Sequence, residues 1–180
     1  MQITSDVQKA IKYCEITTLK RLLVQSPDSA LSYDEWGNRP MLFYAVEKDT
    51  FGPQTEYRRT SGKLHMDMTK LLLLYGANVN ATDKDGRTAL FIAVTQGHID
   101  MVKLLLTNSA NPNVQDNLGD SPLHAIFEEL LVTEGHEEMS ELLLTYGADP
   151  NIRNKAGILP IDLAKAYGAP EVIQILLQHM

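Results

Sequence analysis

Apolar residues in this chain fall at helical spacing in paired segments, and the pairs recur. Leu90, Ala93 and Val94 mark one face of a short helix that Gly97 stops. Ile99, Val102, Leu104, Leu105 and Leu106 then lay an apolar face on a second, longer helix. Thr88 stands where an N-cap hydroxyl accepts from the free amides of a first helical turn. Ser109-Ala110-Asn111-Pro112-Asn113 ends the second helix with turn chemistry, and Asp85-Gly86 signals a tight turn. The pattern predicts helix, turn, helix, then a hairpin finger leading onward. Neither helix buries its apolar face alone, so each such unit must lean on its neighbours.

The phrase Leu71-Leu72-Leu73-Leu74-Tyr75-Gly76-Ala77-Asn78-Val79-Asn80 returns as residues 104–113 and again as 142–151. The step from Asn80 to Asn113 is 33 residues, and so is the step from Gly86 to Gly119. A fixed period of that size predicts stacked supersecondary units rather than one closed core. Stacks present extended surfaces in place of deep pockets.

Asp116-Asn117-Leu118-Gly119-Asp120-Ser121-Pro122-Leu123-His124 and Tyr146-Gly147-Ala148-Asp149-Pro150-Asn151 together resemble the ankyrin repeat, over about residues 34 to 180. The resemblance implies an all-α fold: an ankyrin-repeat solenoid of stacked helix-turn-helix units with β-hairpin or loop fingers and divergent caps at both ends. The expected layout is a single domain over 1–180. It runs as a capping unit at 1–33, a unit with a long insertion at 34–81, a regular unit at 82–114, a longer unit at 115–152 and a cap at 153–180.

Departures from the period locate the irregular parts. Val7 to Leu23 reads as two short helices without the Thr-Pro-Leu-His phrase, and Lys9, Lys12 and Lys20 suit the polar outer face of a cap. Leu42–Val46 aligns with Leu90–Val94, which puts Asn38 at the turn-glycine position, where Asn tolerates left-handed φ. About 15 extra residues then fall between Lys48 and Leu64, so 49–63 is expected as a surface loop. Gly119 to Gly157 spans 38 residues, which predicts a first helix extended through Val132 and an acidic turn over Glu134–Glu138. Leu159, Asp162 and Lys165 replace the Thr, His and Ala of the pattern, as in a degenerate cap closed by Glu171–Leu177.

Composition narrows the function classes. A net charge of −7 argues against a nucleic-acid partner. No apolar run approaches the ~20 residues that span a bilayer, so no membrane association is expected. The start lacks a signal-peptide pattern, and one cysteine, Cys14, forms no internal disulfide; both suit the cytoplasm, with delivery as a secreted effector left open. Cys14 has no histidine near it in sequence, and His136-Glu137-Glu138-Met139-Ser140 lacks the second His of a zinc-protease motif. Ser61-Gly62-Lys63 lacks phosphate-loop spacing. Neither catalytic residues, metal nor cofactor is therefore expected.

Two modification readings stay open beside their structural ones. Arg58 and Arg59 precede Ser61 as in a basophilic kinase site, where phosphate would add about −1.5 to −2 charges. Asn80, Asn113 and Asn151 hold the position whose Asn, in ankyrin repeats, bonds backbone groups and is hydroxylated in some animal members; His124 holds the position whose imidazole ties neighbouring loops.

The resemblance also implies a groove built from finger tips and the shorter helices. Carried onto this chain, the finger positions are Trp36, Arg39, Lys84, Asp85, Arg87, Asn117, Leu118, Asp120, Lys155 and Ile158. The helix positions are Glu47, Lys48, Thr95, Gln96, Glu128, Glu129 and Tyr167. Trp36, Leu118, Ile158 and Tyr167 are the informative ones, since aromatic and apolar tips bury little inside a stack. Cations gather in the first half (Arg39, Lys48, Arg58, Arg59, Lys63, Lys84, Arg87) and acids in the second (Glu128, Glu129, Glu134, Glu137, Glu138, Glu141), which would orient an extended ligand. The expected function is a non-enzymatic module, monomeric on its own, that binds another protein. The rivals are a self-assembling structural protein and an enzyme using the 49–63 insertion.

Overall fold

The computed structural model describes residues 2–13, 15–34, 39–47, 61–128 and 135–180. Cys14, Trp36, Asn38, Lys48, Arg58, Arg59, Glu129 and Glu134 lie outside the described residues, as does most of the expected insertion. The chain divides into two compact units, Met1–Lys84 and Asp85–Met180.

In the first unit, α1 (Gln2–Lys12) and α2 (Ile16–Gln25) pack on each other, as the amphipathic spacing of Val7 to Leu23 requires. Val7, Ala10 and Ile11 are buried on α1, and Leu19, Leu22 and Leu23 on α2, both sets at i, i+3, i+4. A 3-10 turn at Pro27–Leu31 leads to α3 (Met41–Val46), which packs against α1 and α4 (Ser61–Leu74). Met41, Leu42, Phe43, Ala45 and Val46 are all buried, so α3 is apolar on nearly every side. The start of α4 corrects one expectation: Ser61, Gly62 and Lys63 begin a helix and do not belong to a loop. Inside this packing, the Thr69 hydroxyl donates to the Ala45 carbonyl at 3.4 Å, so a buried polar group finds its acceptor at the end of α3.

Among the described residues, the second unit holds three helix pairs: α5 (Ala89–Thr95) with α6 (Ile99–Thr107), α7 (Pro122–Ala125) with α8 (His136–Thr145), and α9 (Pro160–Ala166) with α10 (Pro170–Leu177). The first helices pack in sequence, α5 on α7 and α7 on α9, and so do α6, α8 and α10. That is a two-layer solenoid. Its seam is the recurring leucine: Leu105 and Leu143 are wholly buried, and each such side chain contributes about 1.5–3 kcal/mol. The Thr88 hydroxyl caps α5, accepting from the Phe91 amide at 3.2 Å. Gly97 takes φ +67 beyond it, and Ser109 takes φ +66 at a position where the neighbouring copies carry glycine.

The fingers contain no strand among the described residues. The reason is local. Asp116 Oδ1 accepts from the Leu118 and Asp120 amides at 2.8 and 2.9 Å, and Asn154 Oδ1 accepts from Ala156 and Ile158, both at 3.0 Å. Side chains thus take the amides that a ladder would use. Each tip instead joins the next through a backbone bond: the Asn117 amide donates to the Asp85 carbonyl at 2.8 Å, and the Lys155 amide to the Leu118 carbonyl at 3.0 Å.

Two further expectations are corrected here. The first helix of the longer pair is not extended in its described part: α7 ends at Ala125, and the Phe127 and Glu128 amides donate to His124 and Ala125, three residues back. This tighter winding places Phe127 on Tyr167, with ring centroids 5.7 Å apart. Glu137 and Glu138 are not in an acidic turn but in the first turn of α8, where negative charge suits the exposed amides.

Candidate partner-binding face

In the second unit, the finger over Asp116–Asp120 and the end of α7 bring three carboxylates together. Oxygens of Asp116, Asp120 and Glu128 all lie within 4.8 Å of one another. Asp116 is buried and rigid, because its Oδ1 already holds two finger amides. Asp120 Oδ1 accepts from the Asn154 side-chain amide at 2.8 Å, which fixes it as well. Glu128 is exposed as a residue. Burial of its carboxyl, opposed by Arg87 and reinforced by Asp116 and Asp120, nevertheless raises its pKa above the usual range.

Apolar surface flanks this cluster. Leu118, at the finger tip, is 66% exposed. Tyr167, at the end of α9, is 44% exposed, with one ring face on Phe127. Phe127 also meets the edge of His136 at 5.6 Å, and burial there lowers the histidine's pKa. Thr95 donates its hydroxyl to the Phe91 carbonyl at 3.0 Å, a bond within its own helix. Lys155 reaches back along the fingers, its Nζ donating to the Asn117 carbonyl at 2.8 Å. Ile158 is half-buried, and its carbonyl accepts from His124 Nε2 at 3.1 Å.

His124 is structural. The Ser121 amide donates to its Nδ1 at 3.1 Å, so the ring proton sits on Nε2 and goes to Ile158. Asn113 plays the matching role lower down: its Nδ2 donates to the Gly147 carbonyl at 2.9 Å, and its Oδ1 accepts from the Asp149 amide at 2.8 Å.

The sequence match to the repeat now has a structural counterpart, and the sequence model of the family described as Ankyrin repeats (3 copies) matches residues 60–154, more than half of the chain. The chain belongs to the ankyrin-repeat family. No individual curated protein matches it significantly. Ankyrin repeats generally mediate protein–protein interaction, and such domains are typically non-enzymatic. No described helix of this ankyrin-repeat protein is long and apolar enough to cross a membrane.

The expected charge groups are arranged differently from their order in sequence. Arg39, in the first unit, forms a bidentate pair with Glu47, one arm at 2.8 Å. Burial, the largest single effect, disfavours its charge, but the bond to Glu47 and the charges of Glu47, Tyr44 and Asp83 together outweigh it, so its pKa rises. Arg39 and Glu47 therefore neutralise each other. Nearby, burial and a 3.1 Å bond to Asp34 push the Tyr44 phenol up to about 12. Glu137, Glu138 and Glu141 lie on α8, a second-layer helix, apart from Glu128 at the end of α7. Lys84, Asp85, Arg87, Gln96 and Asn117 each hold further contacts. Asp116 was missed as a face residue; the signal was its spacing of four from Asp120 across a tip. Trp36, Lys48 and Glu129 lie outside the described residues.

Two histidines, His65 buried and His136 half-buried, set a pH dependence. Burial lowers the pKa of His65, against the pull of the Ala45 carbonyl, and lowers that of His136. Both hold a proton less readily in the fold than in the unfolded chain, where such a group titrates near about 6.5. Their stabilisation is therefore present above that value and lost as pH falls through the lower folded values. The urea midpoint is expected to drop between about pH 7.5 and about pH 5.5, and His136→Gln to flatten the drop; an unchanged slope in that variant removes His136 from the account.

Proposed function

We propose that this ankyrin-repeat protein is a non-enzymatic binding module, and that its second unit grips a segment of a partner protein that offers a lysine or arginine beside an apolar side chain. The carboxylate trio beneath Leu118 and Tyr167 carries this reading. Asp116 and Asp120 each commit an oxygen to fixed donors, and with Asp116 buried, Asp120 half-buried and Glu128 exposed the trio forms a one-sided crown reached past Glu128. Such a crown suits a cationic side chain reaching in better than a caged ion, which needs six to eight oxygens around it. A guanidinium would meet carboxylates in its fork geometry, and its stem or neighbour would lie on Tyr167 and Leu118. Burial is the main cause of the raised pKa of Glu128; Asp116 and Asp120 add to it against the pull of Arg87, and a second cation would relieve that like-charge part.

The partner-facing residues in this proposal are Leu118, Asp120, Glu128, Tyr167, Lys155 and Ile158. Selection from a displayed random peptide library is the test. Enriched peptides are expected to carry Arg or Lys next to an apolar residue, and to lose roughly tenfold or more in affinity against Glu128→Lys. Failure to enrich any peptide, or peptides indifferent to Glu128→Lys and Leu118→Ala, refutes the reading.

A further inference from the structure

Three rings from three elements meet beside the partner-binding face. Phe127 lies just beyond α7, Tyr167 caps the end of α9, and His136 is the first residue of α8. Phe127 is buried and touches both of the others. It stacks on Tyr167 at an interplanar angle of 20° and meets His136 at 69°, edge to face. The half-open ring of Tyr167 takes its orientation from that stack, and the stack leans on His136.

His136 makes this support sensitive to protons. Its ring is half-buried, and burial alone lowers its pKa, so the charged form is the one the packing resists. Its place in the first turn of α8 adds to the cost, because the free amides there disfavour a cation. α8 packs against α6, α7 and α10. The titratable groups on or beside those elements are His98, Asp100 and Lys103, then His124 and Glu128, then Glu171. His124 is committed to Ser121 and Ile158, and among the described residues no carboxylate offsets burial at His136. Glu137 and Glu138 follow it on its own turn and are exposed. An imidazolium therefore gains by turning out toward water and those two carboxylates, which takes it off Phe127.

We propose that His136 is a proton-operated support of the partner-binding face: on taking a proton its ring leaves Phe127, the stack on Tyr167 loosens, and partner affinity falls. The affinity part rests on the reading of Tyr167 as partner-facing, whereas the ring movement belongs to the free protein. An aromatic pair is worth a few-fold to about tenfold in an equilibrium, so a fall of roughly threefold to tenfold is expected.

Aromatic carbon–proton NMR spectra of the free full chain, from about pH 7.5 to about pH 5, test the switch. His136 is expected to titrate below about 6.5, and the Tyr167 ring signals to leave their stacked positions with the same midpoint. His136→Gln is expected to hold those signals still over this range. His65→Gln, in the first unit, is expected to leave their movement as in wild type. Signals from α5 and α6 are expected to stay in place; their loss at the same midpoint would mean unfolding and overturn the switch. The peptide most enriched in the library selection is then titrated at both ends of the range. Its affinity is expected to fall, and His136→Gln to remove part of the fall, Glu128 supplying the rest because its carboxyl regains a proton readily. Tyr167 signals that ignore the protonation of His136, or that move equally in His136→Gln, overturn the proposal. So does a peptide whose affinity falls as steeply in that variant as in wild type. A library that yields no peptide refutes the partner-face reading alone, and the ring titration still decides the switch. If His136→Gln does not fold, the coincidence of the two midpoints in wild type decides.

Discussion

Gly119→Ala is expected to cost the second unit about 2–3 kcal/mol, roughly 1 kcal/mol more than the same change at Gly157. Both glycines sit at tips with positive φ, +83 and +79. An alanine held there carries left-handed strain of roughly 1–2 kcal/mol. The surroundings separate them. A Cβ on Gly119 would stand 2.7 Å from the Lys155 backbone nitrogen and 3.2 Å from Asn154 Cα, whereas one on Gly157 meets nothing within 4 Å. The obstacle at Gly119 is backbone, so no side-chain rotation relieves it. The neighbouring finger must retreat, which lengthens the Lys155 amide bond to Leu118 and loses about 1 kcal/mol more. Urea unfolding of the two variants measures the difference directly. Equal losses would mean that the finger yields freely and that the close approach costs nothing.

The repeat was legible because it rests on local chemistry. The apolar spacing around Leu90 and Leu105 fixed two helices, and the Thr88 hydroxyl and Gly97 marked their ends, all within a few residues of one another. What sequence order hid was pairing across elements. Glu128 reads as one of a run with Glu137, Glu138 and Glu141, yet those three start a second-layer helix, and Glu128 keeps company with Asp116 and Asp120 from a finger. Arg39 reads as a free cation, because its Glu47 partner stands eight residues away across a masking apolar helix. The early end of α7 goes with a stack of Phe127 on Tyr167, forty residues on, and helical periodicity through Val132 carries no trace of that ring contact. Of the two finger forms the resemblance implies, hairpin or loop, turn propensity alone does not choose: Asp116 and Asn154 satisfy finger amides with their own side chains, and the described fingers are loops.

His124→Ala is expected to be the most damaging single change at a polar residue, with a loss of about 3–4 kcal/mol. The imidazole is almost fully buried and joins two helix pairs through three contacts. Its Nδ1 accepts from the Ser121 amide at 3.1 Å and lies 2.9 Å from the Ser121 hydroxyl, and its Nε2 donates to the Ile158 carbonyl at 3.1 Å. Truncation strands the buried Ser121 amide, at about 1–3 kcal/mol, and the half-buried Ile158 carbonyl at less, and leaves a void where the ring stood. Ser121→Ala removes only the hydroxyl and keeps the ring on Ile158, so about 1 kcal/mol is expected there. The two residues share one network, hence their losses should not add: the double variant is expected to fall short of the sum by roughly 0.5–1 kcal/mol. Strict additivity in urea melts would show that His124 acts through Ile158 alone and that the bond to Ser121 is incidental to holding the α7 and α9 pairs together.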